Sequence, residues 1–285
     1  MFGEVTAPML PRSSNKPLQA VAMLELGWQP ADDRQLAVAT ASHSGEPRHL
    51  EVVLSTLADA GLDEQALQCP AQLPLSIPVA HALLASGGHA TRLTMNCSGK
   101  HAAMLATCVA RGWSTRDYLA PEHPLQQALV HVLERLAGEP VRHVAVDGCG
   151  APQHALTLTG LARAFAAVAT GEAALARVAA AMRAHPQMVG GTERDVTDLL
   201  AAVPGLVCKD GAEGVYAAGL PDGSAVAVKV ADGATRAAPL LLVAGLRALG
   251  HRGEVLDRLS TVPVLGGGRS VGELRVSALL ASVVA

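Results

Sequence analysis

Apolar side chains recur at three- and four-residue intervals through KPLQAVAMLELGW, beginning near Lys16, and this rhythm predicts the first helix. The same spacing predicts helices over about 47–60, from Lys100 to Arg111, over 124–136, through two Ala-rich stretches at about 156–169 and 172–184, and over about 236–249. Ser13 and Ser14 stand where a hydroxyl caps a helix start. Between the first two helices, QLAVATAS (35–42) reads as a short buried segment that ends in the polar turn His43-Ser44-Gly45-Glu46. Residues 61–92 are broken by prolines and glycines and predict irregular connections with one short helix near 79–86.

Strand signals are fewer. VRHVAV (141–146) delivers Asp147-Gly148-Cys149-Gly150 at its end, where the two glycines suit a tight turn. Three more strand-like segments lie near 205–209, 214–219 and 224–231, with Asp222-Gly223 predicting a hairpin between the last two. A Gly-rich C-terminal stretch, VLGGGRSVGELRV, follows the last helix. The pattern is α+β, as a single compact body or two packed lobes, without internal repeats.

Of the 285 residues, 50% are hydrophobic and 16% charged, enough apolar material for a large core. Only 2% are aromatic, so that core is packed by small aliphatic groups. The 22 Lys+Arg against 25 Asp+Glu give a net charge of -3 with no basic block, which argues against nucleic acid as a partner. No apolar run reaches the roughly 20 residues of a membrane span, and the N-terminus lacks a basic region followed by an apolar run. The expectation is a cytoplasmic protein with no membrane partner. Five cysteines without a CxxC pair then predict reduced thiols rather than disulfides.

Ser13 and Lys16 form a Ser-x-x-Lys arrangement, which sets hydroxyl and amine on one helix face. A serine is a poor nucleophile until a base takes its proton, and lysine serves only if burial or a nearby cation, such as Arg12, makes the neutral amine accessible. By itself the spacing reads as a cap and a solvated lysine ahead of a catalytic pair. Cys97, Lys100 and Cys149 form a second constellation, with Asp147 close by. Two thiols begin a soft-metal site, but lysine is an unusual ligand, and from the residues alone buried free cysteines are the better reading. His43, Glu46 and His49 read as surface charge leading into a helix, ahead of a metal trio. GGGRSVG lacks the strand before and helix after that a dinucleotide site requires. Cys69, Cys108 and Cys208 read as small buried hydrophobes.

Taken together, RSSNKPLQ (12–19), ATASHSGEPRH (39–49), NCSGKHAAMLA (96–106), HPLQ (123–126), DGCGAP (147–152), HPQMVGG (185–191) and SAVAVKVADG (224–233) resemble the Rhizobium etli-type L-asparaginases, the asparaginase II family of bacteria and fungi. The resemblance covers nearly all of the chain from Arg12 onward. It implies a fold similar to serine β-lactamases and glutaminases, and hydrolysis of the side-chain amide of L-asparagine to L-aspartate and ammonia. It implies two Ser-Lys pairs, Ser13 with Lys16 and Ser42 with Lys229. It also implies zinc held by Cys97, Lys100 and Cys149 in a supporting role, substrate contacts from Arg12 and Asp147, and a homodimer. Backbone N–H groups at 98–99 or 148–150 are the expected oxyanion site. Family members usually carry about three more strand-forming segments before the RSxxK motif, so the expectation is an N-terminally truncated domain over 1–285 that lacks those strands.

Two other readings compete. A β-lactamase-like serine hydrolase also uses Ser-x-x-Lys, but no SDN follows here and Lys229 precedes Val-Ala rather than Thr-Gly. A non-catalytic zinc-binding remnant would keep Cys97, Lys100 and Cys149 without turnover.

Overall fold

The computed structural model describes residues 1–277, and the α+β expectation holds within it. A 3-10 turn at Arg12–Asn15 runs directly into α1 (Lys16–Glu25). Neither Ser13 nor Ser14 caps that helix, contrary to expectation. The capping position falls to Asn15, which makes no side-chain capping bond, and the Ser14 hydroxyl donates back to the Pro11 carbonyl at 2.7 Å. The segment 35–42 lies mostly in α2 (Asp33–Ala39), capped by the Asp32 side chain, and is buried as expected. α3 (Pro47–Asp59), α4 (Ile77–Ala85), α5 (Ser98–Arg111) and α6 (Pro124–Ala137) follow, all close to their predicted spans.

α5 is the pivot of this half. Its residues from Ser98 to Cys108 are buried on every side, and α1, α2, α3 and α6 pack around it. A helix buried all round is normally apolar. Here it also buries Ser98, Lys100, His101 and Thr107, so the centre of the fold contains polar chemistry. Gly99 permits the tight crossing with α2, because a Cβ there would stand 2.4 Å from the Val38 carbonyl oxygen.

VRHVAV yields only a three-residue strand, β1 (Val144–Val146), paired antiparallel with β2 (Pro152–His154). Asp147 to Gly150 make the tight turn between them, with Gly150 at φ 85°. Next come α7 (Leu158–Thr170), α8 (Ala174–Ala184), the short α9 (Pro186–Val189) and α10 (Asp195–Ala202). The last two were not visible in the apolar pattern.

β3 (Val207–Gly211), β4 (Val215–Gly219) and β5 (Ala225–Lys229) then form an antiparallel sheet with β4 in the middle. The Asp222-Gly223 hairpin is present, with Gly223 at φ 85°. α7 and α11 (Ala238–Ala248) pack on the sheet, and the Arg12–Asn15 turn packs on β3. After α12 (Glu254–Arg258), the Gly-rich tail makes a hairpin of β6 (Val262–Gly266) and β7 (Arg269–Leu274). Contrary to the sequence reading, a strand does precede this glycine run, but the run turns into a second strand and does not open a helix. One contiguous core of small aliphatic side chains links the helices to the sheet. Among the described residues no single helix is long and apolar enough to cross a membrane.

Candidate active site

The β3 strand, the Arg12–Asn15 turn and the N-terminus of α5 meet around the loop that follows α2. Ser42 lies on that loop and is 5% exposed. Its hydroxyl is 3.2 Å from Lys16 Nζ and 3.1 Å from Lys209 Nζ. Both lysines are essentially buried. Lys16 is fixed further by the Ala41 carbonyl at 2.5 Å and the Cys97 sulfur at 3.1 Å.

The lysine that accompanies Ser42 is therefore Lys209, not Lys229. Lys229 ends β5, and the register carries it across Val215 to Gly211, two strands away from β3. At sheet spacing that is roughly 10 Å. Its Nζ donates to the Glu213 carbonyl at 2.5 Å and the Val230 carbonyl at 3.0 Å, and its side chain lines an apolar trough of about 520 Å³ with Met1, Phe2, Val226 and Leu241. The VKV and VCKDG lysines both read as strand residues, and alternation alone does not tell which strand lies under the 12–15 turn. The signal that separates them is Gly211: a Cβ there would stand 2.7 Å from the Pro11 carbonyl oxygen, so the strand ending in Gly211 is the one the turn can approach.

Burial lowers the pKa of Lys209 to about 8; Asp210 opposes this, while Lys16 and Arg194 add to it. Burial works against the charge of Asp210, yet Lys209 and Arg194 hold its carboxyl down to about 2. Asp210 accepts from Lys209 Nζ with one oxygen and from Arg194 at 2.8 Å with the other. Neither Asp210 nor Arg194 stood out in the sequence.

Ser13 sits half-buried on the 3-10 turn one helical turn before Lys16, and its hydroxyl makes no hydrogen bond. Arg12 beside it has φ 51°, a left-handed conformation uncommon for a residue with a side chain. Its guanidinium is held by Asp147 at 2.6 Å and Glu213 at 2.9 Å. That pair of carboxylates supplies the reason for the strain.

Cys97, Lys100 and Cys149 also come together. Lys100 Nζ is 3.1 Å from Cys149 Sγ, and Asp147 lies 3.6 Å from the same sulfur. The neighbouring Cys149, together with burial, keeps Cys97 a thiol, while the neighbouring Cys97 and the charge of Lys100 favour the thiolate at Cys149 against the cost of its burial. Burial disfavours the Lys100 ammonium, but Cys149, Cys97 and Asp147 outweigh it and raise its pKa. Among the described residues no three His, Cys, Asp or Glu side chains are grouped to hold a metal, so any such site here depends on the lysine. The donor chemistry nevertheless suits a soft divalent ion. The Cys149 sulfur and the Lys100 amine act on His101, whose Nε2 is buried without a hydrogen-bond partner while its Nδ1 shares a 2.7 Å bond with Tyr118. All five cysteines are free and buried.

The model of one protein family, L-asparaginase II, matches residues 1–276, which takes in every residue of this site. The chain belongs to the L-asparaginase II family. The amidohydrolase reading of the sequence is thereby shown, with L-asparagine as the substrate that the family implies. No curated protein is similar enough to the chain to serve as a relative.

In this L-asparaginase II chain, His43, Glu46 and His49 are neither surface charge nor a metal trio. All three are buried. Glu46 and His49 form a reciprocal capping box at the start of α3, and Glu46 also accepts from the Thr192 N–H at 2.6 Å. The rings of His43 and His49 stack at 5.2 Å, and His43 Nε2 meets the Ser98 hydroxyl at 2.8 Å. Burial, then the neighbouring His49 and Lys16, depress the pKa of His43 and keep its ring neutral. These residues brace the Ser42 loop between α5 and the turn at 190–192. Of the N–H groups expected to form an oxyanion site, those of Ser98 and Gly150 already donate to Met95 and Asp147 carbonyls at 2.9 Å.

Proposed function

We propose that the protein hydrolyses L-asparagine by covalent catalysis, with Ser13 as the nucleophile and Ser42 as a proton relay between Lys16 and Lys209. The observation that carries this reading is the Ser42 hydroxyl held between two buried amines, 3.2 Å from one and 3.1 Å from the other. A hydroxyl so enclosed passes protons well but is poorly placed to meet a substrate carbon. Ser13 is more open, its hydroxyl is uncommitted, and it precedes Lys16 by one turn.

Ser13 Oγ attacks the side-chain amide carbon, and its proton passes to the neutral amine of the Lys16–Ser42–Lys209 relay. The carbon–nitrogen bond then breaks, and the relay returns the proton to the departing ammonia. A water molecule attacks the aspartyl ester, loses a proton to the same relay, and Ser13 recovers its hydrogen as aspartate leaves. Two adjacent lysines suit this cycle because like charges held close do not both stay protonated. Arg12 and Asp147, already paired at 2.6 Å, bind the charged end of the substrate beside Ser13.

Cys97, Lys100 and Cys149 would hold zinc, with Lys100 giving up its proton on binding. Bound there, zinc would supply positive charge that orients and polarises the substrate. Asp147 would then face both the ion and Arg12. A homodimer is the assembly we propose.

The test is ammonia release from L-asparagine, with mass spectrometry of protein quenched during turnover. Ser13→Ala is expected to abolish both release and an aspartyl adduct on the peptide containing residues 12–16. An adduct on Ser42 instead, or turnover by Ser13→Ala, would overturn the assignment. Hydrolysis of a chromogenic cephalosporin without ammonia release would favour the β-lactamase-like alternative.

A further inference from the structure

Arg194 stands at the head of α10, immediately after Glu193, which takes the left-handed φ of 58°. That strained residue, following the Gly190-Gly191 turn, aims the Arg194 side chain away from the helix and toward the Ser42 loop. Its Nη1 donates to the Ser42 carbonyl at 3.2 Å and its Nη2 to Asp210 Oδ2 at 2.8 Å. The other oxygen of Asp210 accepts from Lys209 Nζ, which in turn reaches the Ser42 hydroxyl. The four residues close a ring: Ser42 hydroxyl, Lys209, Asp210, Arg194 and back to the Ser42 backbone. A guanidinium fork can hold two such acceptors at fixed geometry, and an ammonium cannot.

The ring matters because of what Asp210 would do alone. A carboxylate adjoining a buried lysine stabilises the ammonium and so suppresses the base. Arg194 divides that carboxylate between two cations. The charged and titratable groups acting on Lys209 are Lys16 from α1, Arg194 at the head of α10, Asp195 within it, and Asp210 and Cys208 from β3. Among them Arg194 is the cation that acts directly on Asp210.

We infer that Arg194 is a positioning residue for the hydrolysis: by sharing Asp210 with Lys209 and anchoring the Ser42 backbone, it keeps Lys209 free to exchange a proton with Ser42. This rests on the Ser-Lys relay proposed above. Arg194 acts through Asp210 and Lys209 and does not touch the reacting atoms.

The experiment is the pH profile of kcat/KM for ammonia release in the wild type, Arg194→Gln, Arg194→Lys, Asp210→Asn and Lys209→Met, with Tm recorded for each. Arg194→Gln is expected to move the limb on the acid side upward by about one pH unit and lower kcat at neutral pH about tenfold, with KM changed less than about threefold. Asp210→Asn should move the same limb downward. Arg194→Lys should restore part of the shift, because it keeps the charge and loses the fork, and it carries the test if Arg194→Gln does not fold. A purely structural Arg194 would lower Tm and leave the profile in place, which would overturn the inference. So would a rise in KM at constant kcat. If Lys209→Met retains wild-type turnover, the relay itself is wrong and the inference falls with it. If Lys209→Met is inactive and both Arg194 variants keep the wild-type profile, only the inference falls.

Discussion

Lys209 presents its amine 3.1 Å from the Ser42 hydroxyl, while Lys229, two strands away in the same sheet, spends its hydrogen bonds on the carbonyls of Glu213 and Val230. The two lysines therefore separate cleanly by mutation. Lys209→Met should lower kcat for L-asparagine by roughly 10²- to 10⁴-fold, the range for losing a positioned acid–base group. Lys229→Met should stay within about threefold of wild type. Steady-state ammonia release decides it, and equal losses from the two variants would reject the assignment of Lys209.

Lys209 also predicts a pH dependence of stability. Its pKa is lowered from 10.5 to about 8 in the folded state, chiefly by burial. Between those values the unfolded chain binds the proton that the folded chain has released, so this group makes stability rise with pH in that window. Below about 8 both states carry the proton, and the full desolvation cost is present. Denaturant titrations of wild type and Lys209→Met at pH 7 and pH 9.5 should therefore diverge: the gap between them, whatever its size at pH 7, should move in favour of the wild type at the higher pH. A gap that does not change with pH would contradict the lowered pKa.

Glu46 joins three elements, since it caps α3 and accepts from both the backbone N–H and the hydroxyl of Thr192. Glu46→Ala removes the cap and leaves the Thr192 N–H with no protein partner. A lost cap costs about 1 kcal/mol, and a lost hydrogen bond to a charged group adds roughly 1.5–3. Urea unfolding should show a loss of about 2–4 kcal/mol, accompanied by reduced kcat because the same loop carries Ser42. A loss under about 0.5 kcal/mol would mean that the loop is held by its other contacts.

The long helices were legible because each has one apolar stripe and recognisable ends: α5 stops at Gly112 and α6 at Gly138, both left-handed at φ 66°. α9 and α10 were not, since the first spans one turn and the second follows an arginine that makes no side-chain cap. Ser13, Lys16 and Ser42 could be singled out, as could Cys97, Lys100 and Cys149, because they stand in motifs. Lys209 could not be told from Lys229, because pairing order within a sheet is a tertiary property that strand alternation does not encode. The polar run His43 to His49 looked solvent-facing by composition. Its burial depends on a partner turn at 190–192, some 140 residues away, which satisfies its backbone and Glu46.

If Cys97, Lys100 and Cys149 hold zinc as proposed, protein purified with added zinc should retain about one ion per chain by elemental mass spectrometry. Cys97→Ser and Cys149→Ser should lose it. Cys108→Ser, equally buried but on the other end of α5, should not. Retention in both site variants would remove the zinc assignment and leave the thiol–lysine cluster as a structural pair.

The close approach between β3 and the serine-bearing turn gives a test of geometry rather than chemistry. Gly211 lies two residues beyond Lys209, and a Cβ there would meet the Pro11 carbonyl oxygen at 2.7 Å and the Ser14 nitrogen at 3.2 Å. Both contacts are backbone, so the Arg12–Asn15 turn has to move as a unit, and Ser13 moves with it relative to Lys209 and Ser42. Overpacking of this kind costs about 1–3 kcal/mol. The catalytic cost is larger in proportion, because a displacement near 1 Å in a reacting group can lower the rate about a hundredfold. Gly211→Ala should thus reduce kcat by at least about tenfold at a temperature where it is still folded. Gly223→Ala provides the control: its φ of 85° makes the substitution strained, but it sits in a hairpin turn with only a distant neighbour, Thr170 at 3.9 Å. That variant should lose stability, by about 1 kcal/mol or more, with kcat unchanged. Matching kcat values in the two variants would show that the turn can shift without disturbing Ser13, and would weaken the case for Ser13 as the attacking group.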